Sequence, residues 1–309
     1  MRPIGEWTKD ELMDELLHFQ EVASLALPRH DHLPKLSGID YVVGIEPCKG
    51  CVGGDHVVIV NFEEYNLTDK IVEAQRVGNA TLAATLEHNL DSFGILVADA
   101  AGHMITDNTT INYLHGAFRI GVAYELKYNG QVTPALFEML NTRFYDRMRP
   151  DYPRRKPYLT LIYGEVYNDG RFRFLSAGHP PPLVFSHERD RIETLGVDRT
   201  KGSTPLGIFP SAYNADVEHF ESTPITKNKY DINEIQLLGR GDIMLLYTDG
   251  LTEHHSGDRN HNFRDTRLEQ VLREAKNSSA REIYNAIRRE YFAYGPQEDD
   301  LAIAVVKKQ

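Results

Sequence analysis

Cysteine is almost missing: among 309 residues only Cys48 and Cys51 occur, too few for a disulfide framework and in keeping with a reducing compartment. No apolar run approaches the roughly 20 residues that a membrane-crossing helix needs. Residues 1–10 are polar and lack the apolar centre of a secretion signal. The expectation is a cytoplasmic chain with no membrane partner. Basic residues are also in deficit, with 34 Lys and Arg against 45 Asp and Glu and a net charge of −11. A field of that sign repels phosphate backbones, so nucleic acid is not an expected partner. Several catalytic signatures are absent as well. A Cys-x5-Arg nucleophile fails because Gly54 and Val57 stand six residues beyond the two cysteines. There is no Gly-x-Ser-x-Gly elbow, Walker A loop or His-Glu-x-x-His helix.

What is present is ordinary globular material, 41% hydrophobic and 26% charged, enough for one large domain or two modest ones. Thr8 and Glu11 have capping-box spacing and predict a helix over 8–26. Leu12, Leu16, Phe19, Ala23 and Ala26 share one stripe of it. That stripe fits docking on the chain's own core, the favoured reading, or a homodimer seam through helix 8–26. A connector follows at 28–34. Short β-like runs are predicted at 41–45, 56–61, 93–98, 158–166, 171–176, 183–185, 217–220, 243–248 and 301–306. Helical patterns fall at 68–89, 109–127, 134–148, 264–275 and 280–292. Strands come in groups, which argues for antiparallel sheets covered by helices. The polar stretch 223–241 reads as a long loop.

Four acidic positions lie beside glycine or at a strand edge: Asp55 in GGD, Asp99 in VADAAGH, Asp249 in YTDGLTE, and the pair Asp299–Asp300 before LAIAVV. A strand that ends in Asp and then a small residue presents a carboxylate at the sheet rim, with backbone carbonyls able to face the same point. Oxygen donors with room for water suit Mg²⁺ or Mn²⁺ better than Zn²⁺. A single Asp-Gly is more often a turn than a ligand; four acids at strand ends are harder to dismiss. His30, His32, Cys48 and Cys51 could also form a tetrahedral zinc site, although their order is uncommon.

The run ELLHFQEVASLALPRHDHLPKLSGIDYVVGIEPCKGCVGGD, followed by VADAAGH, LTLIYGEVYNDGRFRFLSAGHPPPLVF, TPLGIF, LGRGDIMLLYTDGLTE and EDDLAIAVVK, resembles the SpoIIE/RsbU-type branch of the metal-dependent serine/threonine phosphatases (the PPM, or type-2C-like, family). The resemblance spans roughly residues 11–307. It implies an α+β fold, a four-layer α-β-β-α sandwich with two central antiparallel sheets, and a two-ion Mn²⁺ or Mg²⁺ site at one end. Matched motif to motif, Asp99 would be the carboxylate shared by both ions and Ala100 would offer its carbonyl. Asp55, Asp249 and Asp299 would complete the set, with Asp300 the alternative to Asp299. His179 in SAGHPPP is read as structural. His56, His103 and His179 are the histidines near enough to the motifs to be weighed as a general acid, and none is assigned.

The sequence departs from the family pattern in three places. Residues 66–92 insert a helical segment between the first two motifs, one able to cap the metal site. Met104 stands where the second motif commonly has glycine. His56 and Val57 replace the usual aromatic pair after GGD. The domain reading is an N-terminal helix and connector at 1–36 and a phosphatase domain at 37–309. The function implied is a protein phosphatase of the bacterial partner-switching type, with a phosphoprotein substrate such as a phosphorylated anti-sigma-factor antagonist. The competing readings are a catalytically quiet phosphatase-like module that sequesters a regulator, and a two-metal phosphodiesterase or nuclease, which the charge disfavours.

Overall fold

The computed structural model describes residues 7–28, 33–50, 52–102, 107–147, 158–196, 199–211, 227–236, 239–257 and 261–309. Thr8 opens helix α1 (Lys9–Ser24) through the expected capping box: the Glu11 N–H donates to Thr8 Oγ1 at 3.2 Å, and the Thr8 N–H donates to Glu11 Oε2 at 2.7 Å. The apolar stripe is only partly docked. Ala23 is buried and Phe19 and Ala26 are half-buried, whereas Leu12 and Leu16 remain 42% and 45% exposed. The N-terminal half of α1 therefore carries its apolar face beyond the body of the protein.

The chain then alternates between two sheets. Strand β1 (Ile39–Glu46) lies in the first and β2 (Asp55–Val60) in the second. A 3-10 turn (Phe62–Tyr65), α2 (Leu67–Arg76) and α3 (Ala80–His88) lead to β3 (Ser92–Ala100). Helices α4 (Asp107–Tyr128) and α5 (Pro134–Arg147) precede β4 (Leu159–Tyr167), β5 (Arg171–Ala177), β6 (Leu183–Ser186), β7 (Arg191–Glu193) and the two-residue β8 (Gly202–Ser203). Strands β9 (Asn233–Gln236) and β10 (Ile243–Tyr247), helices α6 (Glu269–Ala275) and α7 (Ala280–Tyr294), and β11 (Leu301–Lys308) complete the order. One sheet runs β1-β11-β10-β6-β7 and the other β2-β3-β4-β5-β8, with β9 also on β5. Among the described residues every pairing between these strands is antiparallel except the short β5–β8 contact.

Alternation along the strands sends one row of side chains between the sheets and the other outward. Val57, Phe93, Ile95, Val97, Val184, Met244, Leu246, Ala302 and Ala304 fill the space between the sheets. The outward row of the second sheet packs on α2 to α5, through residues such as Val58, Leu96, Phe118 and Phe137. The outward row of the first sheet packs on α6 and α7, through Leu245, Val305, Leu272 and Ile287. The result is the α-β-β-α sandwich that the family resemblance implied.

Three local expectations change. The insertion is two helices, not one, because α2 ends at Arg76 and Asn79 starts α3 by accepting the Leu82 N–H on its side chain at 3.1 Å. It also does not cap the acidic end. Strand β2 runs away from Asp55, so the insertion leaves at the opposite end of β2 and β3 and buries Leu67, Ile71 and Leu86 on the outer face of the second sheet. The polar stretch 223–241 contains β9, whose Ile235 pairs with Phe172 of β5 and is buried. The run at 217–220 lies outside the described residues. No helix among the described residues is long and apolar enough to cross a membrane.

Candidate metal centre

Strand pairing and the stacking of the two sheets bring four motifs to one end of the sandwich. Strand β2 begins at Asp55 and β3 ends just past Asp99; the two strands are antiparallel, and Asp55 pairs directly with Asp99. Both continue the row that faces the other sheet. In that sheet β10 ends at Tyr247 and β11 begins at Leu301, with Tyr247 opposite Ile303. Thr248 and Asp249 thus follow one strand, and Asp299 and Asp300 precede the other, at the same end. The sheets are joined there by Thr248, which is fully buried. Its hydroxyl donates to Asp55 Oδ2 at 2.6 Å and accepts the Ala302 N–H at 2.9 Å.

The cluster is electrostatically strained as it stands. Burial, followed by the Asp249, Asp299, Asp300 and Glu253 charges, pushes the Asp99 carboxyl up to about 8. Burial and then Asp99 itself raise Asp55 well above the usual carboxylate range, against the pull of the Thr248 hydrogen bond. Asp249 is pushed up to about 6 by burial, Glu253 and Asp299. Carboxylates in this state bind protons until a cation replaces them.

Do these residues suit a hard divalent ion? Two backbone carbonyls join the carboxylates: a Cβ on Gly54 would overlap the Gly102 carbonyl oxygen and come within 2.9 Å of the Ala100 carbonyl oxygen. That close approach is open to glycine alone. Among the described residues no three His, Cys, Asp or Glu side chains are close enough to grip a single ion by themselves. Mg²⁺ and Mn²⁺ commonly take one or two carboxylates and keep several waters, so paired acids with nearby carbonyls fit them and do not fit a closed zinc cage.

The other residues singled out in the sequence fall elsewhere. His56 alternates to the opposite face from Asp55. Its Nε2 lies 2.8 Å from His115 Nδ1 on α4, and burial lowers its imidazole to about 3. It therefore faces the helices, away from the acids. His179 is buried with Nδ1 2.8 Å from the Thr160 hydroxyl, beside Asp99 in register, and burial holds it near 3 as well. His30, His32, Cys51, His103 and Met104 lie outside the described residues.

Sequence reasoning passed over two participants. Glu253 accompanies Asp249 because its N–H closes the turn onto the Asp249 carbonyl at 2.7 Å; the spacing in DGLTE was a usable signal. Thr248 left none, because nothing in YTDG distinguishes a cross-sheet donor from a strand-end threonine.

Comparison with known proteins agrees with this fold. The family model for stage II sporulation protein E (SpoIIE) matches residues 90–309. Among curated proteins, none matches the sequence. The SiaA-PP2C domain of Pseudomonas aeruginosa superposes with a TM-score of 0.64 at 16% identity, covering 97% of this chain and 98% of that one. The RsbU and RsbW domains of Rv1364c from Mycobacterium tuberculosis give 0.59 at 16% identity, over 92% of this chain and 64% of that one. This chain thus spans less than two thirds of that structure. RsbX, solved in complex with magnesium, gives 0.53 at 14% identity, over 90% and 99% of the two chains. At such identities the likeness is one of fold, that of the PP2C-type phosphatases.

Proposed function

The chain belongs to the SpoIIE family, in the SpoIIE/RsbU-type branch of the PPM phosphatases, and from that premise we propose that it is a metal-dependent phosphoserine/phosphothreonine protein phosphatase of the partner-switching type. The observation that carries the reading is the pairing of Asp55 with Asp99 on the face between the sheets, with Asp249 and Asp299 brought from the other sheet to the same end. In this reading Asp55, Asp99, Asp249 and Asp299 and the Ala100 carbonyl would hold two Mn²⁺ or Mg²⁺ ions. When bound, the ions supply the positive charge that readies water and steadies phosphate oxygens at neutral pH.

The protein's own part is positional. Thr248 fixes the Asp55 carboxylate in one rotamer by its hydroxyl. The Asp249 turn is closed by the Thr252 and Glu253 N–H groups on the Asp249 carbonyl and by the Tyr291 hydroxyl on the Gly250 carbonyl at 3.2 Å. No side-chain nucleophile is needed, which accords with the missing Cys-x5-Arg and Gly-x-Ser-x-Gly signatures. The proposed substrate is a phosphoprotein, such as a phosphorylated anti-sigma-factor antagonist, met in the cytoplasm. The exposed Leu12–Leu16 face of α1 is consistent with pairing to a second copy.

The test is hydrolysis of p-nitrophenyl phosphate with added Mn²⁺, expected to be lost with EDTA and in Asp249→Asn. No turnover above background by the wild type would favour the quiet binding module. Turnover of bis-p-nitrophenyl phosphate in its place would favour a phosphodiesterase.

A further inference from the structure

We propose that Asp300 is a positioning residue: its carboxylate clamps the loop that delivers Asp55, and it is not itself a metal ligand. The proposal rests on the phosphatase reading for its consequence and on local geometry for its substance. The connection at issue, of which residues 47–50 and 52–54 are described, joins one sheet to the other. It leaves β1 at Glu46, which pairs with Leu301, and enters β2 at Asp55. Asp300 therefore sits at the root of the crossing. It is 2% exposed. Its Oδ1 accepts the Cys48 N–H at 2.7 Å, and its Oδ2 accepts the Gly54 N–H at 2.7 Å. One carboxylate holds both ends of the crossover, and each oxygen accepts a different amide.

Two close approaches make the arrangement specific. A Cβ at Gly53 would overlap the Asp300 carboxylate, and a Cβ at Gly250 would overlap the Asp300 carbonyl oxygen. The side chain thus fills the place against Gly53 while the backbone fills the place against Gly250, so a single residue locks the GGD loop and the DG turn to each other. Neighbouring bonds keep the segment rigid. The Asp300 N–H donates to Asp299 Oδ1 at 2.8 Å, and Gln297 Nε2 donates to the Glu46 and Asp299 carbonyls at 2.7 and 2.8 Å. Both adjacent acids bear on Asp99 through their charge, Asp299 also on Asp249 and Asp300 also on Asp55, but it is Asp300 whose two oxygens accept the amides of the crossing loop.

An asparagine at 300 keeps one acceptor oxygen and can hold only one of the two amides. In Asp300→Asn the metal-free protein should exchange the amide hydrogens of 48–54 at least about tenfold faster than the wild type. Asp299→Asn should leave that exchange unchanged. Calorimetric Mn²⁺ binding should weaken by about tenfold in Asp300→Asn, with kcat at saturating Mn²⁺ kept within about threefold. A double-mutant cycle guards against simple misfolding: Gly53→Ala should lower Tm sharply in the wild type and much less in Asp300→Ala, where the methyl has room. Unchanged exchange at 48–54 in Asp300→Asn, or additive effects of Gly53→Ala and Asp300→Ala, would overturn the clamp. A wild type that binds Mn²⁺ but cleaves no phosphomonoester would overturn the phosphatase reading and leave the exchange and cycle results standing.

Discussion

Replacing Asp99 by Asn should make the metal-free protein more stable while abolishing its Mn²⁺-dependent activity. The carboxyl is carried from 3.8 to about 8 by burial and by four neighbouring acids. At about 1.36 kcal/mol per pH unit, the ceiling on the cost of ionising it in the fold is roughly 6 kcal/mol. Relaxation and the effective dielectric of real sites cut such figures, so a gain on the order of 1–3 kcal/mol is expected for Asp99→Asn at pH 8.5. For a chain of this size that is an increase in Tm of roughly 2–5 °C. The sign fixes the window. A carboxyl whose folded pKa is raised costs nothing below its unfolded value, and the cost builds as pH rises from about 4 to about 8. The advantage of the variant should therefore vanish near pH 4 and be greatest above pH 8. Differential scanning calorimetry in EDTA across that range gives the measurement. If Asp99→Asn is destabilising at pH 8.5, or its advantage does not depend on pH, then Asp99 does not sit in a repulsive acidic cluster and the proposed centre loses its basis.

The same repulsion predicts that Mn²⁺ raises Tm more at pH 8 than at pH 6, with protons released on binding, because the ion must displace them from Asp55 and Asp99; equal effects at both pH values, read by calorimetry in buffers of different ionisation enthalpy, would count against it. Thr248→Val removes the hydroxyl between Ala302 and Asp55 and should lower stability by about 1–2 kcal/mol and weaken Mn²⁺ binding, with Thr248→Ser restoring both. Arg173→Met leaves the fully buried Glu165 with its Tyr163 and Tyr167 hydroxyl donors but without the Arg173 guanidinium 3.0 Å from its Oε2, and should cost about 3 kcal/mol in urea unfolding. Its Mn²⁺ titration midpoint should stay at the wild-type value, since this pair sits away from the acidic end.

The strands were readable because their ends are punctuated: Gly54 and Asp55, Asp99 and Gly102, and Thr248 to Gly250 all mark strand termini, and all four acid-bearing motifs fall at one end of the sandwich. Convergence was not readable, because 150 residues separate Asp99 from Asp249 and only the pairing of β10 with β11 and the stacking of the sheets bring them together. Strand β9 was hidden because Asn233 and Gln236 look like loop residues, and tertiary pairing with β5 supplies what local propensity lacks. The turn between α2 and α3 was missed because residues on both sides of it keep an apolar helical period. Choosing between Asp299 and Asp300 was beyond any pattern, since the two carry the same side chain and differ only in what each faces.

Half of the acidic cluster rides on each layer of the sandwich, and among the described residues the Thr248 hydroxyl is the direct bond between Asp55 and the opposite layer. A slide of about an ångström of one plate over the other would separate the carboxyl groups of the first from those of the second while leaving both hydrogen-bond ladders whole. A bound cation would act as a bolt through the plates, and anything that leans on one of them from outside could loosen or seat it without approaching the acids.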